Sequence, residues 1–163
     1  MRLLHHHWSA QLECIRAALL TQTLGVFPVN DSTTFYNSDA WALLAIIYAN
    51  RSGSATLDKI IAAGDAINVA IFLPNELEGG LARLTAGGYI TEHEGAFAST
   101  DKALAYSGSS RDRRAMLKEL SDVRRMLASR STEPPDGVRY PGFSEAAYDE
   151  AIEKYRHSIR SGA

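Results

Sequence analysis

Residues 75–106 read NELEGGLARLTAGGYITEHEGAFASTDKALAY, and this stretch decides the fold. Leu77, Leu81 and Leu84 recur at i, i+4 and i+7, which sets them on one face of a helix. Asn75 takes the N-cap position with Glu78 three residues on, a capping-box spacing, and Pro74 stops an earlier helix from running through. Gly87 or Gly88 supplies the left-handed residue that ends the helix. Residues 89–91 then predict a short strand, Glu94-Gly95 a turn, and residues 97–99 a second strand. Thr100 opens another helix. Gly79 and Gly80 each weaken a helix by about 1 kcal/mol relative to Ala, which points to a close backbone approach there, by another helix or by a partner.

Working outward, residues 31–37 are a polar approach, and Ser38 or Asn37 caps the next helix with Asp39 in its first turn. Trp41, Leu44, Ala45 and Tyr48 form one face of that helix, and Leu43, Ile46 and Ile47 widen it. A helix this apolar belongs at the centre of a domain. Residues 50–54 break it. Thr56 starts a second helix with Leu57, Ile60 and Ile61 inward, and Gly64-Asp65 loosens it. Residues 66–72 are a second apolar run that either continues the helix past a kink or forms a short helix of its own. The predicted order over 31–107 is three helices, two strands and a helix, a mainly α domain with a small β-wing.

Leu81-Ala82-Arg83-Leu84, Gly88-Tyr89-Ile90, the Glu94-Gly95 turn and Thr100 with Lys102 resemble the pattern of bacterial winged helix-turn-helix proteins. The resemblance spans residues 38–107. It implies that the helix over 75–87 matches the one that enters the DNA major groove in transcriptional regulators of this type. Asn75, Glu76, Gly79, Gly80 and Arg83 are then the partner- or DNA-facing candidates, with His93 at the wing tip.

Two extensions flank the domain. In residues 1–30, Trp8, Leu12, Ile15 and Leu19 form one stripe of an amphipathic helix, which alone is marginal in water. His5, His6 and His7 are adjacent on a terminus and preset no coordination geometry, so they read as a solvated tail. Residues 108–163 form a helical C-terminal extension. Residues 107–110 are a hinge, and 111–128 an amphipathic helix with Met116, Leu120, Val123 and Leu127 on its apolar side. Residues 129–142 hold three of the five prolines and read as a linker. Ser144 caps a last helix, with Phe143 and Tyr148 placed as a hydrophobic staple and Tyr148, Ile152, Tyr155 and Ile159 on its apolar face. That face needs a companion, on the body or on a partner.

Charge sets the resemblance against itself. The 163-residue chain carries a net −2, but residues 31–107 hold four cations and nine anions, a net of −5. Glu76, Glu78, Glu92 and Glu94 lie on the predicted recognition helix and wing, where a DNA reader carries a basic footprint. Positive charge gathers instead on the helix after the hinge, at Arg111, Arg113, Arg114, Lys118, Arg124 and Arg125, as a contact for phosphate or an acidic partner, or as a solvated face with intrahelical pairs. The single Cys14 excludes an internal disulfide and fits a reducing, cytoplasmic compartment. No stretch approaches a membrane span, and no metal, cofactor, phosphate-loop or nucleophile motif is present. The expectation is therefore a non-catalytic regulatory or binding module acting through protein contacts or as a homo-oligomer. The alternative is a DNA-binding transcriptional regulator.

Overall fold

A computed structural model of the chain describes residues 35–105, 112–129 and 139–162. The predicted N-terminal helix, with His5 to His7 and Cys14, lies outside the described residues. Among the described residues there are six helices and one two-stranded antiparallel sheet. In chain order these are α1 (Asn37–Asn50), α2 (Leu57–Asn68), α3 (Pro74–Ala86), β1 (Ile90–His93), β2 (Ala96–Ser99), α4 (Asp101–Leu104), α5 (Arg113–Ala128) and α6 (Glu145–Ser161).

Helix α1 is apolar all round and every residue from 39 to 47 is buried, so it forms the axis of the domain. Helices α2, α3 and α5 and strand β2 all pack on it. Leu43, Leu44, Ile46 and Ile47 sit at its middle, each worth about 1.5–3 kcal/mol of removed apolar surface. Neither Asn37 nor Ser38 is the cap. Tyr36 holds that position, and Asp39 reaches back to accept its backbone N–H at 2.8 Å.

The predicted loosening at Gly64 does not occur: α2 runs unbroken to Asn68. Gly64 is there for space, because a Cβ at that position would collide with the Phe72 ring. Phe72 stacks on Trp41 with centroids 3.7 Å apart, and the Trp41 indole N–H donates to the Gly64 carbonyl at 2.9 Å. Past Asn68 the chain turns at Val69, a β-branched residue in the left-handed region (φ 54°). The second apolar run is thus split between the last turn of α2 and an extended connection.

Helix α3 begins two residues earlier than its sequence suggests. Leu73 is the N-cap, Pro74 takes the first helical position, and the Glu76 carboxylate accepts the Leu73 N–H at 3.0 Å. The Pro fits because the first turn has no intrahelical use for its missing N–H. At the other end Gly88 is left-handed (φ 70°), with Gly88 N–H bonded to Thr85 O and Tyr89 N–H to Leu84 O, the two bonds of a Schellman motif. Glu94 and Gly95 both have positive φ and form the two-residue turn between β1 and β2. Ala55 makes a single antiparallel bridge to Phe97, a one-residue addition to the edge of this hairpin. Asn50 ties the end of α1 to β2, donating to Phe97 O and accepting from the Ser99 N–H, both at 2.9 Å.

The C-terminal extension is not free-standing. Helix α5 buries Leu120, Val123, Met126 and Leu127 and packs on α1 and α2. Helix α6 packs on α2. Ser144 caps it by accepting the Ala147 N–H at 3.1 Å, and the Phe143 and Tyr148 rings lie 6.1 Å apart as the staple spacing predicts. The Tyr148 hydroxyl donates to Phe72 O and the Tyr155 hydroxyl to the Asp65 carboxylate, so two phenols pin α6 to α2 and the connection beyond it.

Candidate interaction face

The face built by α3 and the hairpin is where the sequence placed half of its candidates, and the structure divides them. Arg83 does not project to solvent. Its Nε and Nη2 donate to the two carboxylate oxygens of Asp39 on α1, each at 2.7 Å, and its guanidinium stands 4.6 Å from the centre of the Tyr36 ring. Asp39 is 0% exposed and the Arg83 side chain 12%. This fork-to-fork pair ties α3 to α1 and uses the one cation that α3 carries. Gly79 and Gly80 are likewise buried. A Cβ at Gly80 would lie 3.3 Å from Asp39 Oδ1 and 3.4 Å from Ala42 Cβ, and one at Gly79 would meet the Arg83 guanidinium. Of the two uses expected for the glycine pair, close approach of another helix is the one realised at Gly80, while Gly79 makes room for the Arg83 guanidinium of its own helix.

The remaining α3 candidates are two. Asn75 is exposed, and Glu76 is partly buried with its carboxylate engaged at the helix start. His93, near the hairpin turn, is exposed and 3.9 Å from the Glu94 carboxylate. Glu92 and Glu94 are exposed as well, so the hairpin tip is acidic.

On α5, Arg114, Lys118, Arg124 and Arg125 are exposed, while Arg111 and the Arg113 side chain lie outside the described residues. Lys118 and Arg125 both reach Asp122, at 3.4 and 3.5 Å, through solvent-exposed pairs worth a few tenths of a kcal/mol. Glu119 turns inward instead and accepts the Tyr48 hydroxyl at 2.9 Å. Burial, and then that bond, raise the Tyr48 pKa above its ordinary value.

One component of the face was not read from the sequence. Residues 139–142, assigned to a linker, return to the domain and place Tyr140 against the hairpin, leaving it only 5% exposed. Its ring lies 5.8 Å from that of Phe97, and its hydroxyl makes a long 3.5 Å bond to Glu92. Burial, followed by the Glu92 carboxylate, pushes the Tyr140 phenol up to about 12, with the Thr85 hydroxyl acting slightly the other way. The only hint in the sequence was two aromatics, Tyr140 and Phe143, inside a Pro- and Gly-containing stretch.

Among the described residues no group of three or more His, Cys, Asp or Glu side chains is placed to hold a metal ion. None of the described helices is long and apolar enough to cross a membrane. Compared with family models, curated proteins and solved structures, the chain matches none.

Proposed function

We propose that residues 35–105 are a winged-helix domain that works through protein contacts, as a non-catalytic regulatory or oligomerisation module, with α5 and α6 as its supports. The domain reading is supported by the order of three helices and a hairpin, with Ala55 bridged to the hairpin edge at Phe97. The observation that carries the functional reading is the Arg83–Asp39 pair. It withdraws the only α3 cation from the surface and leaves Glu78, Glu92 and Glu94 to set the potential there. A polyanion meets repulsion on such a face, because duplex affinity is dominated by phosphate neutralisation. Exposed apolar side chains at Val69, Ile71 and Leu73, on the connection between α2 and α3, favour a protein surface as the partner.

A second reading, a DNA-binding regulator, draws on the exposed Arg114, Lys118, Arg124 and Arg125 of α5. That helix is docked on α1 and α2, and it is not the helix that the resemblance implies enters the groove. Fluorescence anisotropy with generic duplex, over a salt series, separates the two. The protein-contact reading expects no saturable binding at low salt, and a light-scattering mass above one chain or a co-purifying protein. Tight duplex binding with a steep salt slope, lost on reversing Arg124 and Arg125 to Glu, would install the regulator in its place.

A further inference from the structure

Residues 139–143 (RYPGF) form a compact two-aromatic knob. The Phe143 N–H bonds back to Tyr140 O at 3.0 Å, with Pro141 second in the turn, where its fixed φ suits the bend. Gly142 lets the Tyr140 ring fold close, since a Cβ there would stand 3.3 Å from Tyr140 Cε1. The knob sits in a cleft whose walls are the start of α2 at Leu57 and the hairpin at Glu92, Gly95 and Phe97. Tyr140 is the deep anchor, and Phe143 lies towards the start of α3.

Two features mark this cleft as a recognition site. First, open space adjoins it. A separate hollow of about 410 Å³ lies next to the cleft, lined by Pro74, Asn75, Glu78, Arg139 and Glu145 among others, and Phe143 borders both. Second, its charge is one-sided. Glu92 lines the cleft, Glu78 and Glu145 line the adjoining hollow, and the basic side chain there, Arg139, comes from the knob segment itself. The cleft thus has an apolar floor, a phenol acceptor at Glu92 and an acidic rim, and the chain occupies it with a basic–aromatic segment of its own.

We propose that the cleft between the start of α2, α3 and the hairpin is a peptide-recognition groove for a basic–aromatic segment of a partner protein, and that residues 139–143 hold it closed by mimicking that segment. The proposal rests on the protein-contact reading above and names its chemistry. Aromatic anchors supply most of the contact energy at such sites, and the acidic rim selects a cationic flank and rejects nucleic acid. Because the internal segment is tethered, it competes at an effective concentration in the millimolar range, so a partner must be longer than the knob or must bind where the knob has been released.

The test uses the full chain and a fluorescein-labelled peptide with the sequence of residues 138–145. The chain carrying Tyr140→Ser and Phe143→Ser together should bind this peptide at least about tenfold more tightly than the unaltered chain does. Adding Glu92→Lys, or replacing the peptide's tyrosine by alanine, should remove that gain. A doubly substituted chain that melts cooperatively yet ignores the peptide up to about 1 mM overturns the proposal, as does equal binding of the alanine peptide. If the double variant does not fold, amide shifts of the unaltered isotope-labelled chain decide. Millimolar peptide must move the Glu92, Phe97 and Gly142 resonances together, and no movement refutes the groove. Failure here leaves the protein-contact reading standing if duplex is still ignored, whereas duplex binding sinks that reading by itself.

Discussion

Replacing Arg83 by alanine tests most directly whether this side chain belongs to the fold or to a partner. The substitution removes both 2.7 Å bonds to Asp39 and leaves a carboxylate that is 0% exposed. Breaking a buried ion pair from one side costs about 3–5 kcal/mol, because the abandoned charge keeps its desolvation penalty without its partner. Some of this is cushioned, since the Tyr36 N–H still donates to Asp39 at 2.8 Å. The loss of the guanidinium over the Tyr36 ring acts the other way by about 0.5–1 kcal/mol. For a chain of this length the expected fall in melting temperature is about 6–20 °C. In urea, with m of about 2 kcal/mol/M, the midpoint should drop by about 2 M. The companion Asp39→Asn/Arg83→Met chain should recover a large part of the loss, because removing both charges leaves none stranded. A double-mutant cycle built from the unaltered chain, Asp39→Asn, Arg83→Met and the double variant should give a coupling above about 1 kcal/mol. If Arg83→Ala unfolds within about 0.5 kcal/mol of the unaltered chain, the pair does not hold α3 to α1, and Arg83 returns to the list of partner-facing residues.

Other perturbations read other joints. Asn50→Ala removes the acceptor of the Ser99 N–H and the donor to Phe97 O, so it should cost about 1–3 kcal/mol and speed hydrogen exchange at the Ser99 amide ahead of the core of α1. Tyr140 and Tyr155 are both raised to about 12, by burial first and then by Glu92 and Asp65 respectively, while an unfolded tyrosine ionises near 10. The folded chain therefore holds these protons longer than the unfolded one, so their contribution is intact below pH ~10 and is lost as pH rises towards 12. Stability measured across that window should fall, and Tyr155→Phe should flatten the part due to Asp65. Val69, left-handed and 63% exposed, gives up little packing if changed, so Val69→Asn should raise stability by about 1 kcal/mol in a denaturant titration.

The local pattern of this chain was legible because local rules suffice for it. Leu77, Leu81 and Leu84 mark the buried stripe of α3, Gly88 its left-handed end, Glu94-Gly95 the hairpin turn and Ser144 the cap of α6, and each is set by neighbours within a few residues. The all-round apolar α1 announced its central place for the same reason. Helix starts were read less well: at α1 and α3 the cap is an ordinary residue, and the N–H is taken by an acid three positions on. Sequence places Asp39 at a helix start but does not reveal that Arg83, 44 residues later, will claim it. Gly79 and Gly80 signal a close approach, but whether a helix or a partner makes it is open until α1 is seen beside Gly80. Residues 139–142 read as linker because turn-forming composition says how a chain bends and not what it lands on. Periodicity and capping thus determined the helices and the hairpin of this protein. Which charges remain at its surface, and which face its own C-terminal segment covers, were decided by contacts between distant residues, which only the packed structure brings within reach of one another.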